Sequence, residues 1–94
     1  LANHKSALKR HKQSLKRRMR NRMIKSQVKT AIRKVNEAIA ASSVEDAQAA
    51  LRAAIPVIDR AASKGTFHRK TASRKVSRLT RRVNAFVASV QDAA

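Results

Sequence analysis

A chain of 94 residues makes at most one domain, and a domain that small buries only about 60–65% of its unfolded surface, so its apolar core is thin. Twenty-three lysines and arginines against five acids leave a net charge of +18, far more than solubility asks, which points to a polyanionic partner. The lack of cysteine excludes disulfides, thiolate metal sites and a cysteine nucleophile. No apolar run reaches the roughly 18–20 residues of a membrane span and no signal-like apolar core opens the chain, so it reads as soluble and intracellular.

One glycine and one proline leave little for tight turns, while alanine, lysine, arginine and glutamine favour helix, so the fold class is all-α. The first predicted helix runs from about Lys5 to Ala41. Its second half sets Met19, Ile24, Val28, Ala31, Ile32, Val35, Ala38 and Ile39 mostly three or four apart, a single stripe able to pack. Its first half, to Met23, offers only Leu8, Leu15 and Met19, with cations on every side of the cylinder. About 37 residues at 1.5 Å each give a rod of roughly 55 Å, longer than a three-helix core of this size needs, so the basic end projects from the body.

The second predicted helix follows Ser42-Ser43. Ser43 with Asp46, or Ser42 with Glu45, reads as a capping arrangement, and the two acids suit the positive end of the helix dipole. Ala47, Leu51, Ala54, Ile55, Ile58 and Ala62 continue the apolar stripe. Pro56 removes the bond to the Arg52 carbonyl and is expected to bend the helix, and Lys64-Gly65 supplies its stop. The third helix is predicted from Thr66 or Phe67 to Val90, with Ala72, Val76, Leu79, Val83, Phe86 and Val90 spaced as a packing seam. Phe86 belongs to that seam, and Phe67 is assigned to packing at the helix start.

Charge is segregated along the chain. Residues 1–36 hold thirteen bases and no acid, 37–63 two bases and four acids, 64–82 eight bases and no acid, and 83–94 only Asp92. Two basic lobes therefore flank a nearly neutral middle helix that mainly completes the core. Like charges at i and i+4, as in Lys5/Lys9, Lys12/Lys16, Arg18/Arg22 and Lys25/Lys29, each cost a few tenths of a kcal/mol in an isolated helix. Phosphates would supply the missing counter-charge. With Phe67 and Phe86 the only aromatic residues, a stacking platform for unpaired bases is missing. Recognition then rests on backbone phosphates and helix shape, with arginine forks bidentate on phosphate and lysines as point charges.

Catalytic chemistry finds no support. His4, His11 and His68 are not at metal-ligand spacing and read as solvated or phosphate-facing. No serine has an activating partner, Glu45 and Asp46 are accounted for by capping, and a single glycine cannot build a phosphate loop. The chain is read as a non-enzyme without cofactor or metal.

The stretches ANHKSALKR (2–10), KRRMRN (16–21), KTAIRKV (29–35) and KGTFHRKTASRKVSRLTRRVNAF (64–86) run in register along nearly the whole chain and resemble the bacterial small-subunit ribosomal protein family S-twenty. The block Lys-Gly-x-x-His-x-x-x-Ala-x-Arg is the most distinctive. Leu1 stands in place of the usual initiator, and the chain beyond Phe86 is longer than in many relatives. The resemblance implies a three-helix bundle with a long, projecting first helix that reaches into folded 16S ribosomal RNA. It also implies direct binding during small-subunit assembly, chiefly at the 5′ domain and also at the long penultimate stem.

Matched residue by residue, the implied RNA contacts are Asn3, Lys5, Ser6, Lys9 and Arg10, then Lys16, Arg17, Arg18 and Asn21, then Lys29, Arg33 and Lys34. In the second lobe they are Lys64, Gly65, His68, Lys70, Arg74 and Lys75. The neighbouring cations Lys12, Arg20, Arg22, Lys25, Arg69 and Arg78 join them on charge. The expected organisation is a single domain over 1–94, with 1–23 a basic extension that penetrates RNA and is largely disordered without it, and 24–94 the bundle core. A monomer when free, the protein is expected in the cytoplasm within the ribosome, beside other ribosome components, with no small-molecule substrate and no membrane.

Three rivals explain less. A histone-like or nucleoid DNA binder would share the electrostatics, but neither a recognition-helix motif nor a minor-groove arm is present. A membrane-active helix would need a broader apolar face over residues 1–20. A coiled coil accounts for the third seam but not for the charge.

Overall fold

The computed structural model describes the backbone of residues 2–93 and the side chains from His4 onward. Leu1 and the side chain of the candidate contact Asn3 lie outside the described residues. Three helices make up the fold: α1 (Ala2–Ala40), α2 (Val44–Ser63) and α3 (Arg69–Ala93). It is an all-α bundle in which α2 is the middle element, packing along both neighbours, while α1 and α3 touch each other least.

The apolar stripes meet as their periodicity requires. Ile24, Val28 and Val35 of α1, Ala47, Ala54, Ile58 and Ala61 of α2, and Ala72, Leu79 and Val83 of α3 form one buried cluster. Small alanines on α2 let both neighbours approach closely, so ten buried side chains suffice for a continuous core. No polar or charged side chain is buried among the described residues. Met19, assigned to the α1 stripe on spacing, is instead 72% exposed, because it stands five residues before Ile24 and so about 140° around the helix from the buried face.

Both turns are built by the same backbone device. After α1, the Ser43 N–H donates to the Ala38 carbonyl (3.1 Å) and the Ser42 N–H to that of Ile39 (3.0 Å), with Ser42 in the left-handed region at φ 58°. After α2, the Thr66 N–H donates to Ala61 (3.0 Å) and the Gly65 N–H to Ala62 (3.0 Å), with Gly65 at φ 77°. This is the paired closure that satisfies the last carbonyls of a helix. Of the two capping registers, the structure selects Ser43, whose Oγ accepts the Asp46 N–H at 3.3 Å. Helix α2 continues through Pro56, which sits on its exposed face.

Helix α3 starts later than its sequence suggests. The N–H groups of Thr66 and Phe67 are both directed at the Ala61 carbonyl, so these residues close α2 rather than open α3. His68 takes the capping position instead: its carbonyl accepts the Ala72 N–H (3.1 Å), and its Nδ1 accepts the Lys70 N–H (3.1 Å). Phe67 is half-buried against the core.

Two side-chain bonds fix the register of α3 beside α1. Thr66 Oγ1 donates to Asn21 Oδ1 at 3.0 Å, and Arg82 Nη1 donates to Asn36 Oδ1 at 2.7 Å. The separations, 45 and 46 residues, are nearly equal, so α1 and α3 run side by side in the same direction. By that register Phe86 lies level with Ala40, the last residue of α1. Beyond it α3 overhangs, which explains why Val90, expected in the seam, is 36% exposed. At the other end residues 2–20 of α1 extend past the Thr66 contact as a projection of about 28 Å. The molecule spans 73 × 22 × 13 Å.

The two left-handed positions differ in how well their residues suit them. Serine in that region costs roughly 1 kcal/mol that glycine does not. Ser42→Gly is therefore expected to raise the thermal midpoint by a few degrees. Gly65→Ala is expected to lower it similarly through φ alone, since a Cβ there meets nothing within 4 Å. Thermal unfolding followed by circular dichroism checks both signs, and a Gly65→Ala protein as stable as the parent would contradict this account of the turn.

Candidate nucleic-acid interface

Along the projection, every described side chain from His4 to Arg20 is exposed. The cause is geometric: α2 ends at Ser63 and its closing turn docks beside Asn21, so of the preceding residues only Met19 and Arg20, at the base of the projection, border clefts shared with the body. Lys5, Ser6, Lys9, Arg10, Lys12, Lys16, Arg17, Arg18 and Arg20 all project freely there. Arg22, Lys25, Lys29, Arg33 and Lys34 continue the series as exposed side chains on the bundled half of α1.

The cations have almost no internal partner. Among the described residues the one ion pair is Arg33 Nε to Glu37 Oε1 at 3.5 Å, between side chains that are both about two-thirds exposed. Such a pair contributes little in solvent. Arg18, Arg22, Lys25 and Lys29, at i, i+4, i+7 and i+11, line one polar trough along α1. Their repulsion is uncompensated within the chain.

The second lobe forms around the α2–α3 turn. Lys64, Gly65, His68, Arg69, Lys70, Arg74 and Arg78 are exposed there and on the first half of α3. Lys75 is half-buried, its Nζ lying 5.5 Å from the centre of the Phe67 ring. His68 Nδ1 is engaged in accepting the Lys70 N–H, which leaves Nε2 of this exposed side chain as the ring nitrogen free to bond outside the helix. Gly65 contributes through its backbone conformation, since it has open space where a side chain would stand.

The two lobes converge through Asn21 and Thr66. Their bond sets the second lobe beside α1 where the projection begins, and Arg20 and Lys64 line the same small cleft. Asn21, half-buried, thus has one lone pair of its carbonyl oxygen engaged within the protein, while no bond within the protein engages its NH2 among the described residues. Lys29, Arg33, Lys34 and Arg78 lie further along the body, away from this junction. The Asn21–Thr66 and Asn36–Arg82 ties were not legible from spacing, because single polar side chains 45 and 46 residues apart have no periodic signature. The exposed methionines of α1 were missed for another reason: spacing placed Met19 in the packing stripe and gave Met23 no role.

The fold and charge layout define a class of protein, a small all-α body from which one strongly cationic helix projects. The sequence profile of ribosomal protein S20 matches residues 2–84. The small ribosomal subunit protein bS20 of Syntrophus aciditrophicus (strain SB) is 59% identical over 88 residues, covering 94% of this chain and 99% of that protein. Its counterparts in Geotalea daltonii (strain DSM 22248 / JCM 15807 / FRC-32) and Geobacter sulfurreducens (strain ATCC 51573 / DSM 12127 / PCA) are 60% and 56% identical over 84 residues, each covering 89% of this chain and 97% of the relative. The chain belongs to the ribosomal protein S20 family, a structural family without enzymatic activity. The resemblance read from its basic blocks is thereby confirmed.

The Asn21–Thr66 bond is open to a direct test. Asn21→Ala and Thr66→Val are each expected to lower stability by about 1 kcal/mol, with the double variant only slightly worse than either. Additive losses in denaturant unfolding would show that the two side chains act independently.

Proposed function

We propose that this chain is a structural constituent of the small ribosomal subunit that binds 16S ribosomal RNA directly, through phosphate contacts, and helps it fold and assemble. The observation that carries this is the projection of α1: an acid-free series of exposed cations with no partner of its own. A helix so arranged needs an external polyanion around most of its circumference, and packed RNA strands offer phosphates in several directions at once. Membership in the S20 family supports RNA as that polyanion and the small subunit as its setting.

In this reading residues 1–23 are an extension that enters the RNA, and residues 24–94 are the body that carries it. Without RNA the extension lacks tertiary contacts and repels itself, so it is largely disordered; phosphates order it. The contacts are those of the two basic lobes, from Lys5 to Lys34 and from Lys64 to Arg78, together with Asn3. The 5′ domain of the RNA and its long penultimate stem are the proposed sites. The protein works in the cytoplasm within the ribosome, next to other ribosome components, and is a monomer when free.

Binding across a salt series tests this. A 16S 5′-domain transcript is expected to bind one protein tightly at near-physiological salt in the presence of competitor RNA, whereas duplex DNA of matched length loses its affinity. Arg17→Gln and Arg18→Gln are each expected to flatten the slope of log K on log salt by about one phosphate's worth, and Arg52→Gln, on α2, to leave it unchanged. Equal binding of both nucleic acids, lost together as salt rises, would mean a generic polyanion binder.

A further inference from the structure

Phosphate binding accounts for the cations of α1 but not for its methionines. Met19 and Met23, at 72% and 58%, are the most exposed large apolar side chains among the described residues. They open onto a groove of about 560 Å³ between α1 and α2. Its floor is Ala31, Ala50, Ala53, Ala54 and Val57; Ser26, Gln27 and Thr30 add polar edges along the α1 wall. Arg22 and Lys34 are its charged members, and no carboxylate lines it.

We propose that this groove seats an unpaired nucleotide of the bound RNA, its base laid against Met19, Met23 and the alanine floor. The inference rests on RNA being the partner. Three features select a base over other occupants. A ribose–phosphate backbone laid on the apolar floor would shed water there and gain no donor from the floor itself, whereas a base has two apolar faces and loses little. The thioether sulfurs are polarizable and pack favourably on aromatic rings. The volume is that of a small-ligand site, and Ser26, Gln27 and Thr30 offer both donors and acceptors to the edge of a base.

The position of the groove supplies the remainder of the strand. Arg22 and Ser26 line both the groove and the adjoining trough of Arg18, Lys25 and Lys29. A strand whose phosphates follow that cationic row passes the mouth of the groove, and one nucleotide turned aside enters it. At the other end, Arg20, Arg60 and Lys64 surround Met23 and Gln27 in a smaller cleft, so cations meet the strand on both sides of the seat. The chain thereby gains a base-binding surface without an aromatic residue.

The test uses the full chain with the 16S 5′-domain transcript. In the complex, peroxide oxidation of Met19 and Met23, followed by mass spectrometry, is expected to slow markedly, while a plain RNA duplex leaves both at their free rates. Met19→Ala/Met23→Ala removes the platform and Ala53→Leu fills the groove, neither changing charge. Each is expected to weaken transcript binding about tenfold while keeping the salt slope, and to restore the chemical reactivity of one unpaired base that the parent protein protects.

Tight parental binding with methionines oxidised at the free rate would overturn the seat and leave RNA binding standing. So would equal protection by plain duplex, or protection that arises only in the complete subunit, where a protein would be the cover. Failure of the parent to bind the transcript would remove the RNA reading and this inference with it.

Discussion

Mutual repulsion among the cations of α1 is the constraint on which the rest of the structure depends. A helix of 39 residues carries thirteen bases, and among the described residues only Arg33 of these meets a carboxylate. In water this repulsion is softened by solvent and salt, yet it recurs along the helix at like-charge i, i+4 pairs from Lys5/Lys9 to Lys25/Lys29. The bundled half of α1 withstands it because Ile24, Val28 and Val35 are buried against α2 and α3. The projecting half has no such anchor, so its stability is tied to whatever supplies negative charge.

The division of labour among the helices follows. Helix α2 must touch both neighbours, and it is the one helix whose acids outnumber its bases; a third cationic helix in the middle would add repulsion inside the body. Its alanines keep the bundle narrow, and its ends are closed by backbone bonds, so the turns need few residues. The α2–α3 turn does more than connect. By docking Thr66 on Asn21 it sets where the projection begins and brings a second group of cations to the same place.

Periodicity made the helices legible in the sequence, since Ala72, Leu79 and Val83 or Ile24, Val28 and Val35 mark their own buried faces. The breaks were legible from Ser42-Ser43 and Lys64-Gly65. The start of α3 was not, because Thr66 and Phe67 donate backward to Ala61 and no local propensity reveals that choice. Nor was the end of the packing seam, which depends on where α1 runs out rather than on Val90 itself. For the interface, one-signed charge identified the lobes, while the convergence of Arg20 with Lys64 required the fold. Met19 shows the limit of loose spacing: five residues before Ile24, it falls about 140° around the helix from the buried face and opens onto the α1–α2 groove instead.

The central claim, that an external polyanion holds the projection of α1 in its helical form, is tested most directly by amide hydrogen exchange along that helix, with and without the 16S 5′-domain transcript. The account predicts rapid exchange over residues 4–20 in the free protein, strong protection of the same amides in the complex, and protection from Ile24 onward in both states. Equal protection of residues 4–20 with and without RNA would contradict it, showing that the helix sustains its own charge.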